Sequence, residues 1–488
     1  MTLELPHFLQ NLIVEYAIQR NINSETNAYN TSLTIALVCE RWFKHVQQLT
    51  TNVNLLKCPL INCQFKVDNQ YSLLQSKNIS SLEFNTLNQA VFTMLESVTM
   101  NISSFIIHIE QVGHDINQTL KLLTELVKSD RVEFHLFVNV ERGIFSMAKP
   151  PNRELYNIAT VNIQCGQEVI TEEYLWEEEG LASIAAGWRP TDYTLRFNKG
   201  GLSTHFGYSL FLTVNTLRTA LIETDFVELC YVNSALSGNH LEELEFSYLF
   251  HHISGEKHGN TYRNSCFPTM DAPWHKLPDT QQHFKEFCGL LANNRILRDL
   301  TIHNFCKQPL GEDRMDENQL LANQFAEVFA HNNYLTSLCL DNIQLVNDEF
   351  FYSLHNNRGL KSLRLENGTI NNDNLMTSIG LMLSENKHIS HLSISNNQAL
   401  TDCSELAKAI TNNNTLRSLD ISFCKFKNLF LLFESILNNK TLYTLSISFD
   451  MKTSIENHPI LLKLMNRFNL KTINNYNLKP SLINLSKI

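Results

Sequence analysis

From residue 335 onward one apolar spacing, Leu-x-x-Leu-x-Leu, returns again and again, and a chain with such a period folds as a stack of like units rather than as unrelated elements. Leu335, Leu338 and Leu340 carry one copy, and the segment 360–365 carries the next. Ile389, Leu392 and Ile394, then Leu416, Leu419 and Ile421, then Leu442, Leu445 and Ile447 follow at intervals of about 25 to 29 residues, inside the range of repeat architectures. Each copy is preceded by a helical run ending in Asn: 350–357, 375–386, 406–414 and 429–439. The last two apolar residues of a copy alternate as on a strand. The segment after it spaces its apolar residues three and four apart, as on a helix. One strand and one helix cannot close a core alone, so the units must stack.

The pattern resembles leucine-rich repeats of the ribonuclease-inhibitor type, whose consensus Leu-x-x-Leu-x-Leu-x-x-Asn/Cys-x-Leu is matched over 416–426 with Cys424 in the Asn/Cys place. Asn397 fits that place too. Ile343 and Gly368 stand there in other units, which predicts an interrupted internal ladder. The expected fold is an α/β leucine-rich-repeat solenoid, with a parallel sheet on the concave side and helices on the convex side, over residues 51–488. Its outward strand positions include Asp299, Thr301, Cys339, Ser362 and Ser393. The residues expected to contact a partner there are Arg298, His303, Asp341, Arg364, Glu366, His391, Arg417, Asp420 and Tyr443, with Arg and Tyr as the natural anchors.

Weaker copies run through the first half: Ile79, Leu82 and Phe84; Ile102, Phe105 and Ile107; Val132, Phe134 and Leu136 after a helical run 120–127; Ile158, Val161 and Ile163; Leu217, Ala220 and Ile222; Leu241, Leu244 and Phe246. Residues 166–201 are the least regular, and Glu177 to Glu179 read as a solvated acidic run. The surplus near 251–279, with Gly255, Gly259, Pro268, Pro273 and Pro278, reads as a loop inserted into the array. A smaller insertion is expected at 307–317. The larger loop gathers His251, His252, His258, Cys266 and His275, but their spacing matches no zinc module, so no metal and no cofactor is expected.

A formal charge of −10 without a basic tract argues against a nucleic-acid partner. No window reaches about 18 apolar residues, so no membrane span is expected. The 11 cysteines show no paired spacing, which fits a reducing compartment, the cytoplasm or the nucleus. Hydrophobic residues at 43% are enough for a core. No phosphate loop, nucleophile elbow or His-Glu-x-x-His helix occurs, so the chain reads as a binder and not an enzyme.

Residues 1–50 differ from the repeats. The opening Leu-Pro run, with Leu5, Pro6, Leu9, Leu12 and Ile13 at helical spacing, is followed after a polar stretch by a second helical run holding Leu37, Val38, Cys39, Arg41 and Trp42. These residues resemble an F-box, at the N-terminal edge of a repeat array. The gap between the two halves is longer than in that family. The resemblance implies a small all-α domain in which Leu5, Pro6, Leu9, Leu12, Ile13, Leu37, Val38 and Trp42 occupy motif positions against a Skp1-like linker. It further implies a cullin scaffold and a role as substrate-recognition subunit of an SCF-type ubiquitin ligase, with an unknown protein held by the repeats. Read from the residues alone, two functions stay open: that adaptor, and a repeat scaffold or inhibitor whose N-terminal helices are only a cap.

Overall fold

A computed structural model describes the chain chiefly over residues 51–56, 74–85, 101–109, 115–141, 149–167, 187–197, 216–223, 229–247, 280–304, 315–449, 459–467 and 481–486. It divides into two units, residues 1–166 with 183–192, and residues 167–182 with 193–488. The F-box-like motif residues lie outside the described residues, as do the loop 251–279, the acidic run 177–179 and most of the insertion 307–317.

The first unit holds β1 (Asn52–Asn54), β2 (Ser81–Phe84), β3 (Ser104–Ile109), α1 (Ile116–Val127), β4 (Glu133–Glu141) and β5 (Ile158–Gln167). The strands pair in chain order and in parallel. Alternation decides their faces: Leu82, Phe84, Phe105, Ile107, Phe134 and Leu136 are buried while the residues between them are not. Phe105 stacks on Phe134 at 5.8 Å and meets Phe84 edge-on at 6.2 Å. Phenylalanine thus fills places that leucine takes later in the chain, which is why the pattern is fainter here. Asp115 caps α1 by accepting the Asn117 and Gln118 amides at 3.1 and 3.3 Å, two donors a helix start leaves without partners.

The second unit begins with β6 (Asp192–Phe197), in the segment expected to be irregular, and continues with β7 (Thr219–Glu223), α2 (Leu229–Ser237) and β8 (Glu243–Ser247). After the loop come α3 (Thr280–Asn293), β9 (Asp299–His303), α4 (Met315–His331), β10 (Ser337–Asp341), α5 (Asp348–Leu354) and β11 (Ser362–Glu366). Then follow α6 (Leu375–Glu385), β12 (His391–Ser393), α7 (Ser404–Asn412), β13 (Ser418–Asp420), α8 (Leu429–Asn438), β14 (Thr444–Phe449), α9 (Pro459–Arg467) and β15 (Ser481–Ser486). Strands β7 to β14 run parallel in chain order, and β15 closes the series antiparallel to β14. Leu338, Leu363, Leu392, Leu419 and Leu445 stand in one register row, each 2% exposed or less, so the repeat reading holds residue by residue. Behind them, Phe284, Phe325, Phe329 and Phe350 link α3, α4 and α5 through ring contacts of 5.1 to 6.4 Å.

What joins one repeat to the next is an Asn at the end of each helical run, which in the run 406–414 is Asn413 and not the final Asn414. Asn332, Asn357, Asn386, Asn413 and Asn439 are all buried. The Asn357 amide donates to Phe329 O and Asn332 O of the preceding repeat, both at 2.7 Å, and Asn386 donates to Leu354 O and Asn357 O at 2.6 and 2.9 Å. Asn439 does the same to Ile410 O and Asn413 O. Each Oδ1 accepts from the backbone N–H groups two and three residues on, as Asn386 does from His388 and Ile389 at 2.7 and 2.8 Å. A single short side chain therefore closes its own turn and satisfies carbonyls that the previous helix leaves open. Beyond Asn439 the sequence has no next Asn in that place, and Arg467 of α9 donates to Ile436 O and Asn439 O instead.

The ladder at the Asn/Cys place is more complete than the sequence pattern predicts. Asn397 donates to Leu365 O at 2.7 Å and the Cys424 thiol to Ile394 O at 3.0 Å. Burial pushes that thiol up to about 12, so it keeps the proton it donates. Where Gly368 occupies the consensus place, Thr369 one residue later donates to Leu340 O at 3.0 Å and accepts from the Ile343 amide at 3.2 Å. Just before the consensus place the chain turns through the left-handed region, at Asn342, Asn367 and Asn396 (φ 55 to 58) and Phe423 (φ 59). Asn tolerates this best among residues with a Cβ.

Asn386→Ala strips partners from two buried carbonyls, the buried Ile389 amide and the part-buried His388 amide. The expected loss is about 2 to 4 kcal/mol of unfolding free energy, against about 0.5 kcal/mol or less for the exposed neighbour His388→Ala. Chemical denaturation of both variants measures this. Leu363→Ala is expected to cost about 2 to 5 kcal/mol in the same assay. Gly359→Ala is also expected to destabilise, because an added Cβ there runs into the Asn333 backbone.

Candidate functional site

The residues opposite the leucines of the second unit lie in register rows on one face of the sheet. One row places Glu245, Thr301, Cys339, Arg364, Ser393 and Asp420 side by side, and the next places Ser247, His303, Asp341 and Glu366. Neighbouring strands are about 4.8 Å apart, so side chains along a row are within reach of one another. Of the residues expected on this face, His303, Asp341, Arg364, Glu366, His391 and Asp420 lie on it. Cys339 and Ser393 also face this way but are 4% and 7% exposed, because longer neighbours such as Arg364 and Glu366 close over short side chains. Arg298, Arg417 and Tyr443 do not stand within strands. Each precedes its strand by one residue, at the edge where the chain arrives from a helix.

At the centre of the face, His303 bridges two carboxylates from the strands on either side. Its Nδ1 lies 2.8 Å from Asp341 Oδ2 and its Nε2 lies 3.0 Å from Glu245 Oε1. Two acceptors at once require both ring nitrogens to carry protons, the imidazolium form. Burial by itself lowers the pKa of this ring, but the hydrogen bonds and charges of Asp341 and Glu245 outweigh it and raise it to about 9. Burial likewise opposes ionisation of Asp341, yet hydrogen bonds from His303 and from Asn367, at 2.5 Å, hold its carboxyl below the usual range.

Beside this bridge, Arg364 donates through Nε and Nη2 to the two oxygens of Glu366, each at 3.0 Å, and the Ser393 hydroxyl donates to Glu366 Oε1 at 2.7 Å. The fork geometry fixes Arg364 in one orientation while its side chain stays about half-exposed. The hydrogen-bonded carboxylate raises the Arg364 pKa further. The face thus offers a fixed imidazolium, a fixed guanidinium and three carboxylates, all held before any partner arrives. Glu245 is the functional residue that the sequence reading passes over. Its signal was present, since it stands between Leu244 and Phe246 in the outward place of a recognised copy.

Among the described residues no group of His, Cys, Asp and Glu is arranged to hold a metal ion, and no helix is long and apolar enough to cross a membrane. The loop histidines lie outside those residues. No family model and no curated protein matches the chain. Among solved structures, the crystal structure of a TLR13–ssRNA13 complex aligns with 77% of this chain at 13% identity and a TM-score of 0.34. This chain covers 54% of that one, about half its length. The parallel strands in chain order, the Leu-x-x-Leu-x-Leu register and the buried Asn rungs decide the fold class on their own terms. The fold is a leucine-rich-repeat array of parallel strands and helices.

Because His303 is charged in the folded state, its titration is diagnostic. NMR is expected to find its midpoint near 9 rather than near 6.5, and Asp341→Asn is expected to bring it down. A histidine whose pKa rises on folding stabilises the fold fully below its unfolded pKa, and that contribution fades as pH climbs through the folded value. Unfolding free energy from this group should therefore decline between about pH 6.5 and 9, and the decline should be absent in His303→Gln.

Proposed function

We propose that this chain is a non-catalytic protein-binding adaptor, the substrate-recognition subunit of an SCF-type ubiquitin ligase. In this reading residues 1–50 dock on a Skp1-like linker joined to a cullin scaffold, and the sheet face of the second unit holds the protein to be modified. The adaptor acts by raising the local concentration of its target near a ubiquitin-loaded enzyme, in the cytoplasm or nucleus.

The observation that carries the binding half is the pre-ordered charge set on the sheet face. Arg364 and His303 are held by Glu366, Asp341 and Glu245. A partner gains their contacts without the usual entropy of freezing long side chains. The thiol on that face argues for binding over covalent chemistry: burial pushes Cys339 up to about 12, where it is a poor nucleophile. The ubiquitin half rests on the Leu5, Pro6, Leu9, Leu12, Ile13, Leu37, Val38 and Trp42 motif positions.

Pull-down from lysate with the full chain and with a chain lacking residues 1–50 tests the assignment. Skp1 and cullin should accompany the full chain alone, and Leu5→Ala with Pro6→Ala should reduce Skp1 recovery without changing the unfolding transition of the repeats. Equal recovery from all three samples, or none from any, sinks the ubiquitin link and leaves a repeat scaffold. For whatever target is recovered, Arg364→Ala is expected to cost more than about 1 kcal/mol of affinity while changing stability by about 1 kcal/mol or less.

A further inference from the structure

From α3 to α8 the turns that carry the chain from helix to strand hold cations, 332–336 excepted, and no carboxylate, whereas the α2–β8 turn next in the row carries Glu242 beside Arg298. Arg295 and Arg298 occupy the turn 294–298, Arg358 and Lys361 the turn 357–361, and Lys387 with His388 the turn 386–390. Arg417 and Lys440 follow in the turns 413–417 and 439–443. None of these segments, nor 332–336 among them, contains Asp or Glu. Backbone hydrogen bonds of 2.7 to 2.8 Å place the turns in one row: Thr336 N–H to Arg298 O, Lys361 to Thr336, Ser390 to Lys361, Arg417 to Ser390 and Tyr443 to Arg417. Arg298 is half-buried and the other cations are exposed.

Cations near helix C-termini commonly answer the helix dipole and the open carbonyls there. In this unit the buried asparagine amides take most of those carbonyls, and of the edge cations Lys387 donates to Ser384 O and Arg298 to Arg295 O and Tyr334 O at 2.9 and 3.1 Å. The ion pairs described in the unit join His303 to Glu245 and Asp341, Arg364 to Glu366 and Lys408 to Glu405, and none uses a cation of this edge. Between the charges stand apolar surfaces. Tyr334 is 43% exposed beneath Arg295 and Arg298, whose guanidinium carbons lie 5.9 and 5.7 Å from its ring centre, and Tyr443 is 46% exposed.

We infer that this edge docks an extended acidic segment of a partner protein. From β9 to β14 there are five strand steps, about 24 Å, which about seven extended residues span. Only a narrow ligand avoids what lies next to the edge: Glu243 and Asp299 begin their strands immediately inside it, and Glu245, Glu366 and Asp420 stand further in. A nucleic acid or an anionic membrane is broad enough to meet those carboxylates. A single acidic strand of polypeptide, with an occasional apolar side chain for Tyr334 or Tyr443, touches the cations alone. This edge is separate from the charge set on the sheet face, and the inference holds whether or not the chain binds Skp1.

The test uses the full chain and fluorescence anisotropy with a labelled Glu-rich peptide containing tyrosine, alongside its Gln counterpart, a single-stranded oligothymidine and phosphatidylserine vesicles. The Glu peptide is expected to bind, with affinity falling as salt rises, and the Gln peptide to bind weakly. Arg358→Glu with Lys361→Glu should weaken the Glu peptide at least about tenfold. Lys408→Glu with Lys425→Glu, an equal change of charge on exposed lysines off the edge, should leave it within about twofold. Arg358→Gln with Lys361→Gln gives an intermediate loss and guards against misfolding of the reversed pair, with thermal unfolding checked for each. No binding of the Glu peptide to the parent protein overturns the inference. So does an equal loss in the two charge-reversed pairs, or tighter binding of the oligonucleotide or the vesicles.

Discussion

A buried asparagine side chain is the interaction on which the second unit depends. Its amide reaches back to carbonyls of the previous helix end, and its oxygen takes the N–H groups of the turn that leads to the next strand. Few side chains could do both. Aspartate has the acceptor but no donor, and would bring a charge into a dry place; alanine leaves at least four polar groups without partners. In the shorter helices, seven residues in α5 and nine in α7, the unpaired ends are a large fraction of each. Satisfying those ends from the neighbouring repeat turns a liability of short helices into the joint between units.

The fixed spacing that this joint enforces also organises charge. Because Glu245, Thr301, Cys339, Arg364, Ser393 and Asp420 share one register row, whatever polar residues the sequence places there are neighbours in space although they lie far apart in the chain. His303 can then meet carboxylates 58 residues before it and 38 after it. The same register gathers cations at the turn edge and carboxylates on the strands. Two differently charged surfaces lie side by side without any long-range design beyond the choice of residue at a given place in the repeat.

Much of this could be read from the residues. The leucine spacing located β10 to β14 and the helices α5 to α8 between them, while the start of α4 was read as part of an insertion; Leu363 is buried and Arg364 exposed as the alternation requires. What escaped did so for physical reasons. Thr369 holds the internal ladder from one place past the consensus, because a hydroxyl on a slightly longer turn reaches the same carbonyl as an amide at the usual position. The strands β6 and β15 carry no repeat spacing, and β15 runs against the others, so periodicity had nothing to report. The pairing of Glu245 with His303 crosses the inserted loop, so it follows from register alone and leaves no local trace. The opening Leu-Pro motif lies beyond the described residues, and its chemistry rests on the sequence resemblance.

Arg467 has a bearing on how such a chain changes length over evolutionary time. Asn332, Asn357, Asn386 and Asn439 bind the same two carbonyl places of the unit before them, and Asn413 the first of the two, so a segment bounded by equivalent rungs can be lost or duplicated and the remaining asparagines still find matching acceptors. The Arg467 rung differs: a long, flexible guanidinium donates to Ile436 O and Asn439 O from a helix that, among the described residues, is followed only by an antiparallel strand. A joint of that kind is indifferent to how many units precede it. The array can be shortened or extended by whole repeats before this joint while the joint itself stays unchanged, and the spacing of the charged rows on the surviving strands is inherited intact.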